Sequence, residues 1–379
     1  MGPLVGYTVI ELAGIGPCPM AGMMLGDMGA RVIRVDRQSK NKSQNYNDIS
    51  ARNKESIIIN LKQPQGRAAF MALVKQADVL IEGFRPGVME KLGIGPEQCQ
   101  AINPALIYGR MTGWGQDGPL AQRAGHDINY IALTGALHAI GRRDQAPVPP
   151  LNLVGDFGGG TLFLVVGVLA ALLERQQSGK GQVIDAAMVD GVANLMWICH
   201  SLAAANRWDP EHREANIIDG GAFFYGTYET KDGKYIAVGA IESQFLQEFV
   251  AKAQLDPQLF NAEQQMDRSR WPDLKQQLRD HIKTKTQQQW LQIFADGDAC
   301  VAPVLSFMEA PQHPHLQARH TYQSIDGIVQ PSPAPRFSRT VSEIRHSQHP
   351  QGQDSKNILR ELGYSETDID TLFGSGDVA

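Results

Sequence analysis

Thr8-Val9-Ile10-Glu11-Leu12, the loop Gly14-Ile15-Gly16-Pro17-Cys18-Pro19, a stretch reaching about Met28, and then Arg31-Val32-Ile33-Arg34-Val35-Asp36 form the run that decides the fold. Read in order, it is a buried strand, a tight loop, a helix and a second strand. The run imitates a dinucleotide fingerprint, because Gly14-x-Gly16 follows a strand and Asp36 stands about 20 residues on, where an acidic side chain meets a ribose. The third glycine is missing. Pro19 occupies its place and Pro17 stiffens the loop, so an NAD-dependent dehydrogenase is the remote reading. A βα turn used for packing or for another nucleotide-bearing ligand is the nearer one.

Working outward, the alternation continues with Ser56 to Asn60 as strand, Pro64 to Lys75 as helix, Val79 to Glu82 as strand and Leu106 to Arg110 as a fourth strand. Strands spaced by helical stretches imply an α/β fold with a doubly wound parallel sheet. Ligands of such sheets bind beyond the carboxyl ends of the strands, where Arg37, Lys62 and Arg85 fall. Three cations there suit a polyanion; each one alone also reads as solvated surface charge.

The chemistry concentrates between Gly125-His126-Asp127-Ile128-Asn129-Tyr130 and Leu153-Val154-Gly155-Asp156-Phe157-Gly158-Gly159-Gly160. An imidazole titrating near neutral pH and a lone carboxylate are two unlike proton carriers. Each has a plainer reading as well: a histidine in a structural hydrogen bond, and an aspartate capping the helix that runs from 157 to about 177. Asp-Phe-Gly also spells a kinase motif, but His-Arg-Asp and the Val-Ala-Ile-Lys strand are absent from the sequence. Ile128 to Ile140 reads helical, Gln182 to Asp185 as one more strand, and Ala186 to Asn206 as a long helix.

Beyond Asn206 a smaller α+β domain is expected. Tyr225 to Val238 is a hairpin turned by Asp232-Gly233, Glu242 opens a helix, polar helices fill Trp271 to Ala295, and Cys300 to Val304 is a strand. Pro331 to Arg336 is a proline-stiffened extended return. Residues 341–354 are polar and loosely ordered, and two short helices follow, Ser355 to Leu362 and Ser365 to Phe373, the second opened by a Ser365-x-x-Asp368 cap. The domains expected are therefore 1–206, 207–325 and a return segment, 326–379, that completes the first.

At 379 residues the chain is long enough for two domains. Its 35 Lys and Arg against 40 Asp and Glu, a net charge of −5, give no footing for nucleic acid or an anionic membrane. A small-molecule partner is expected instead. Cys18, Cys99, Cys199 and Cys300 are scattered without a Cys-x-x-Cys pair, which disfavours a zinc site and fits a reducing compartment. No basic segment followed by an apolar core opens the sequence, and the apolar run Leu162 to Leu173 is too short for a bilayer. A cytoplasmic protein is expected.

Taken together, the Gly125–Tyr130 block, Pro149-Pro150-Leu151-Asn152-Leu153-Val154-Gly155-Asp156, and Asp219-Gly220-Gly221-Ala222 ahead of Val238-Gly239-Ala240-Ile241-Glu242 resemble the α-methylacyl-CoA racemases of the family III CoA-transferase superfamily. The resemblance runs from about Gly6 to about Arg339. It implies an interlocked homodimer and 1,1-proton transfer on a 2-methylacyl-CoA thioester through an enolate. His126 and Asp156 would be the two bases, with Glu242 pairing with His126 across the dimer interface. Coenzyme A would be part of the substrate, with no separate cofactor and no metal. It would be held by Arg37, Ile59, Lys62 and Arg85, of which Arg37, Ile59 and Arg85 face the adenine and phosphates, together with Ile15, Asp127 and Tyr130. The rival within the superfamily is CoA transfer between carboxylates, in which Asp156 forms an acyl anhydride. The enolate oxygen is expected to find its donors among the amides at the Asp156 helix terminus.

Overall fold

The computed structural model describes residues 2–38 and 48–379. The chain divides into two compact units, one of residues 2–38, 48–134, 151–195 and 318–379, the other of 135–150 and 196–317. Residues 135–150 and 196–206, which the sequence placed in the first domain, thus belong to the second unit, and residues 318–325, expected in the smaller domain, belong to the first.

In the first unit β1 (Thr8–Leu12), β2 (Arg31–Asp36), β3 (Lys54–Ile58), β4 (Val79–Glu82), β5 (Ile107–Thr112) and β6 (Val183–Ala187) form one sheet in the order β3-β2-β1-β4-β5-β6. Every neighbouring pair is parallel. The order reverses direction between β1 and β4, which opens a crevice at their carboxyl ends. Both faces are covered, so alternate residues of one strand serve different cores: Val9 packs with Leu25, Leu164 and Val168 on one face, Ile10 with Phe70, Leu73, Leu359 and Leu372 on the other. The helices Ser355–Glu361 and Glu366–Ser375 therefore complete the second face. Their junction follows the expected cap, with Ser365 and Asp368 bonded reciprocally.

Several boundaries differ from expectation. The third strand starts at Lys54 and ends at Ile58, and Ile59 makes a bridge to Val378 instead. The expected helix from Ile128 is two, Asp127–Leu133 and Ala136–Ala139, parted at Gly135 with φ 84°. The long helix after Ala186 is also two, Met188–Leu195 and Trp197–Ala204, parted at Met196 where the chain leaves the first unit.

The largest departure surrounds Asp156. Leu153–Thr161 is a π-helix that runs straight into the α-helix Leu162–Ser178, and Asn152 rather than Asp156 sits at its start. Together they make a 26-residue segment long and apolar enough to cross a membrane, more than Leu162 to Leu173 alone suggested. Here one stripe of it (Leu164, Val165, Val168, Leu172) packs on the sheet, while Leu162, Val166 and Leu173 are exposed.

The second unit is built on an antiparallel sheet of β7 (Tyr225–Glu229), β8 (Tyr235–Gly239) and β9 (Val301–Val304), with Gly233 turning the hairpin at φ 72°. Phe223, Phe224, Tyr228, Phe249, Trp271 and Trp290 fill its core against the helices Ser243–Ala253, Trp271–Ile282 and Gln287–Ile293.

Candidate active site

The crevice at the strand switch is a cleft of about 500 Å³ within the first unit. Its walls are Ile15 to Cys18 following β1, the loop after β4 (Gly83–Pro86), the end of β5 with Gly113 and Trp114, the Ala121–His126 segment with Tyr130, and Asn152, Asp156 and Met188. Of the residues singled out in the sequence, Ile15, Arg85, His126, Tyr130 and Asp156 line this space.

His126 is the N-cap of the Asp127–Leu133 helix. Its amide donates to Asn129 Oδ1 at 3.0 Å, and its carbonyl accepts from Asn129 N at 2.8 Å. The backbone is thereby fixed on both sides. Tyr130 closes the loop from within, its hydroxyl donating to the Gly125 carbonyl and its ring meeting Trp114 edge-on at 4.8 Å. Only glycine fits at 113 and 125, since a Cβ there would lie 2.0 and 2.7 Å from the Tyr130 ring. The imidazole is exposed and, among the described residues, has no ion-pair partner.

Asp156 is half-buried and hangs from the π turn. Its Oδ2 accepts from Asn152 Nδ2 at 3.3 Å and faces Gly16, where a Cβ would come within 3.3 Å of it. Gly16 itself has φ 72°, a conformation that favours glycine. Thr161 Oγ1 lies within bonding reach of both the Asp156 carbonyl, at 3.3 Å, and the Pro17 carbonyl, at 2.9 Å, tying the turn to the loop after β1. Burial pushes the Asp156 carboxyl above the ordinary range; Asn152 opposes this, the Asp127 charge adds to it and His126 opposes it. Burial dominates, and Asp156 is not at an α-helix N-terminus.

The amide of Asp156 does not point to substrate. It donates to Asp127 Oδ2 at 2.7 Å, which removes this one amide from those expected to serve an enolate oxygen. The first two amides of the neighbouring helix, of Asp127 and Ile128, have no acceptor among the described residues. They lie next to His126 and are the better candidates.

The remaining sequence candidates sit elsewhere. Arg37, Lys62 and Arg85 all follow the carboxyl ends of β2, β3 and β4 and are exposed, but only Arg85 reaches the cleft. Ile59 is 1% exposed with its side chain in the core, so a ligand could meet only its backbone. Asp127 is 7% exposed and turned toward Asp156. Glu242 is the exposed N-cap of the Ser243–Ala253 helix in the second unit. Asp36 is buried, its carboxylate taken by Arg34 Nε at 2.8 Å and Ser56 Oγ at 2.7 Å, and so is not held out to a ribose. Sequence reasoning gave no role to Asn152 or Arg123, both of which line the cleft. Asn152 stands four residues before Asp156, a spacing that shares a helix face, and that was the available clue.

A description of CoA-transferase family III matches residues 4–355. The mouse and human alpha-methylacyl-CoA racemases are each 44% identical over 97% of this chain and 95% of their own length. The mouse succinyl-CoA:glutarate CoA-transferase is 30% identical over 99% of this chain and 90% of its own. Among solved structures, a CAIB/BAIF family protein from Brucella suis superposes with a TM-score of 0.81 at 25% identity, covering 95% of this chain and 99% of that one. With the family matched over residues 4–355 and relatives matched over nearly the whole length of the sequence, the chain belongs to CoA-transferase family III.

Proposed function

We infer that the chain is an isomerase that interconverts (R)- and (S)-2-methylacyl-CoA thioesters. The observation that carries this reading is the placement of His126 and Asp156 in one cleft, together with the 44% identity to the two racemases over almost the full length. The thioester acidifies the neighbouring carbon. One group removes its proton, an enolate forms, and the other returns a proton to the opposite face. Asp156 suits both halves of this cycle because burial favours its neutral form without isolating it from the cleft. Donors aimed at the enolate oxygen supply the remaining stabilisation, and the free amides of Asp127 and Ile128 fit that role. Positioned acid–base groups account for roughly 10² to 10⁴-fold each.

Coenzyme A would lie along the carboxyl ends of β2 to β4, where Arg37, Lys62 and Arg85 supply positive charge for its phosphates. Ile15, Ile59 through its backbone, and Tyr130 would complete the contacts. A homodimer is supported by the exposed apolar stripe Leu162, Val166 and Leu173, and within it Glu242 of one chain would orient His126 of another. The test is direct. Incubating a single enantiomer of a 2-methylacyl-CoA in deuterated water should yield the other enantiomer with deuterium at the α-carbon. Retention of both configuration and α-proton, with CoA moved to an added carboxylate, would instead establish transfer chemistry.

A further inference from the structure

We propose that Asp127 is a positioning residue that couples the two proton carriers, holding the Asp156 backbone at a fixed place relative to His126 and setting the charge beside the Asp156 carboxyl; this rests on the racemase reading. Asp127 is the residue after His126 and the first of the helix that His126 caps. Its carboxylate crosses to the π turn, where Oδ2 accepts the Asp156 amide at 2.7 Å. Its other oxygen, Oδ1, is buried with no hydrogen-bond partner among the described residues. No cation pairs with it there either. A buried carboxylate left so poorly compensated is costly, and a fold that needed only an amide acceptor could use a neutral one.

The surroundings are shaped to admit this group. At Gly155 an added Cβ would lie 2.4 Å from Asp127 Oδ2 and 2.7 Å from its Cγ, so the absent side chain is what leaves room for the carboxylate. In a π turn the amide at Asp156 needs an acceptor, and Asp127 provides one from the element that carries His126. The separation of the two bases is therefore fixed by one side chain. The titratable groups facing Asp156 are Asp127 and His126 from one wall, Tyr130 from the same helix and Cys18 from the loop after β1, with Arg85 at the mouth. Of these Asp127 is the one whose charge favours the neutral form of Asp156, adding to burial.

The experiment measures kcat/KM from each enantiomer between about pH 5 and 9, with thermal unfolding as a check on folding. Asp127→Asn keeps an acceptor for the amide and drops the charge. The limb set by Asp156 should move to lower pH by about half a unit or more in both directions of reaction, with KM little changed. Asp127→Ala drops acceptor and charge together and should lose on the order of 10²-fold in kcat, as misplacement of a catalytic group does. The ratio of deuterium exchange from the R and S esters should change with it. Gly155→Ala, which forces the carboxylate aside without removing it, should also lower kcat, and decides the matter if Asp127→Asn does not fold. Wild-type limbs in Asp127→Asn, or wild-type kcat in Asp127→Ala or Gly155→Ala, would overturn the proposal. A wild type that neither racemises nor exchanges the α-proton fails the racemase reading itself, and is thereby told apart.

Discussion

At the scale of single residues, the two proposed bases differ in how they are held, and that difference should appear in their variants. His126 is exposed and fixed through its backbone, whereas Asp156 is half-buried and held through its carboxylate by Asn152. His126→Ala and Asp156→Asn should each abolish inversion while retaining α-proton exchange from opposite enantiomers, measured by NMR in deuterated water. Equal exchange of both enantiomers by both variants would point to a single mobile base. Glu82, the last residue of β4, gives a second residue-scale prediction. It is fully buried, accepts from Phe84 N at 2.7 Å and Arg110 Nε at 3.1 Å, and burial still drives its carboxyl from 4.5 to about 7. A carboxyl raised in the folded state favours folding at acid pH. That contribution, about 3 kcal/mol at roughly 1.4 kcal/mol per pH unit, is complete below pH 4.5 and is lost as pH rises through about 7. Unfolding free energy measured across this window should carry that loss in wild type, and Glu82→Gln should flatten it. An unchanged slope in the variant would place the dependence on another group.

At the scale of elements, the π turn at Leu153–Thr161 is held by backbone contact with the Met188–Leu195 helix. A Cβ on Gly159 would stand 2.6 Å from Val192 Cγ2 and 2.8 Å from its amide, and one on Gly191 would stand 1.9 Å from the Gly159 carbonyl. Gly159→Ala should then cost about 1–3 kcal/mol of stability through overpacking and lower kcat by displacing Asp156, as read by denaturant unfolding and initial rates. Full activity at wild-type stability would show that the two helices separate freely. This turn also marks where sequence reading stopped. The strands were legible because parallel strands covered on both faces are continuous apolar runs, such as Val9-Ile10 and Val79-Leu80-Ile81. A π turn of nine residues, four of them glycine, carries no periodicity that separates it from an α-helix. Partners distant in sequence were equally hidden. Lys54 pairs with Glu11 at 2.6 Å in the core and also donates to the Pro19 carbonyl, bracing the loop after β1, and nothing local to either residue announces it.

At the scale of the whole molecule, the resemblance supplied what spacing could not, the proposal that Glu242 of the second unit serves the same mechanism as His126 and Asp156. The proposed dimer is the part open to experiment. His126→Ala and Glu242→Ala chains, each inactive alone, should recover part of the activity when reassembled together, because one site in a mixed dimer then has both groups intact. Mixed dimers without recovery would place the pair within one chain. The completed sheet carries one more consequence, in the order of synthesis. Ile358, Leu359, Ile369 and Leu372 cover the same face as Phe70 and Leu73, and Val378 bridges to Ile59. The strands β1 to β5 leave the ribosome roughly 240 residues before these caps, a wait of about 10–50 s at ordinary rates of elongation. Through that interval this face is covered only by the helix Pro64–Gln76 and the short helices ahead of β5, and the aliphatic area destined for the two C-terminal helices stays open to water until translation nears its end.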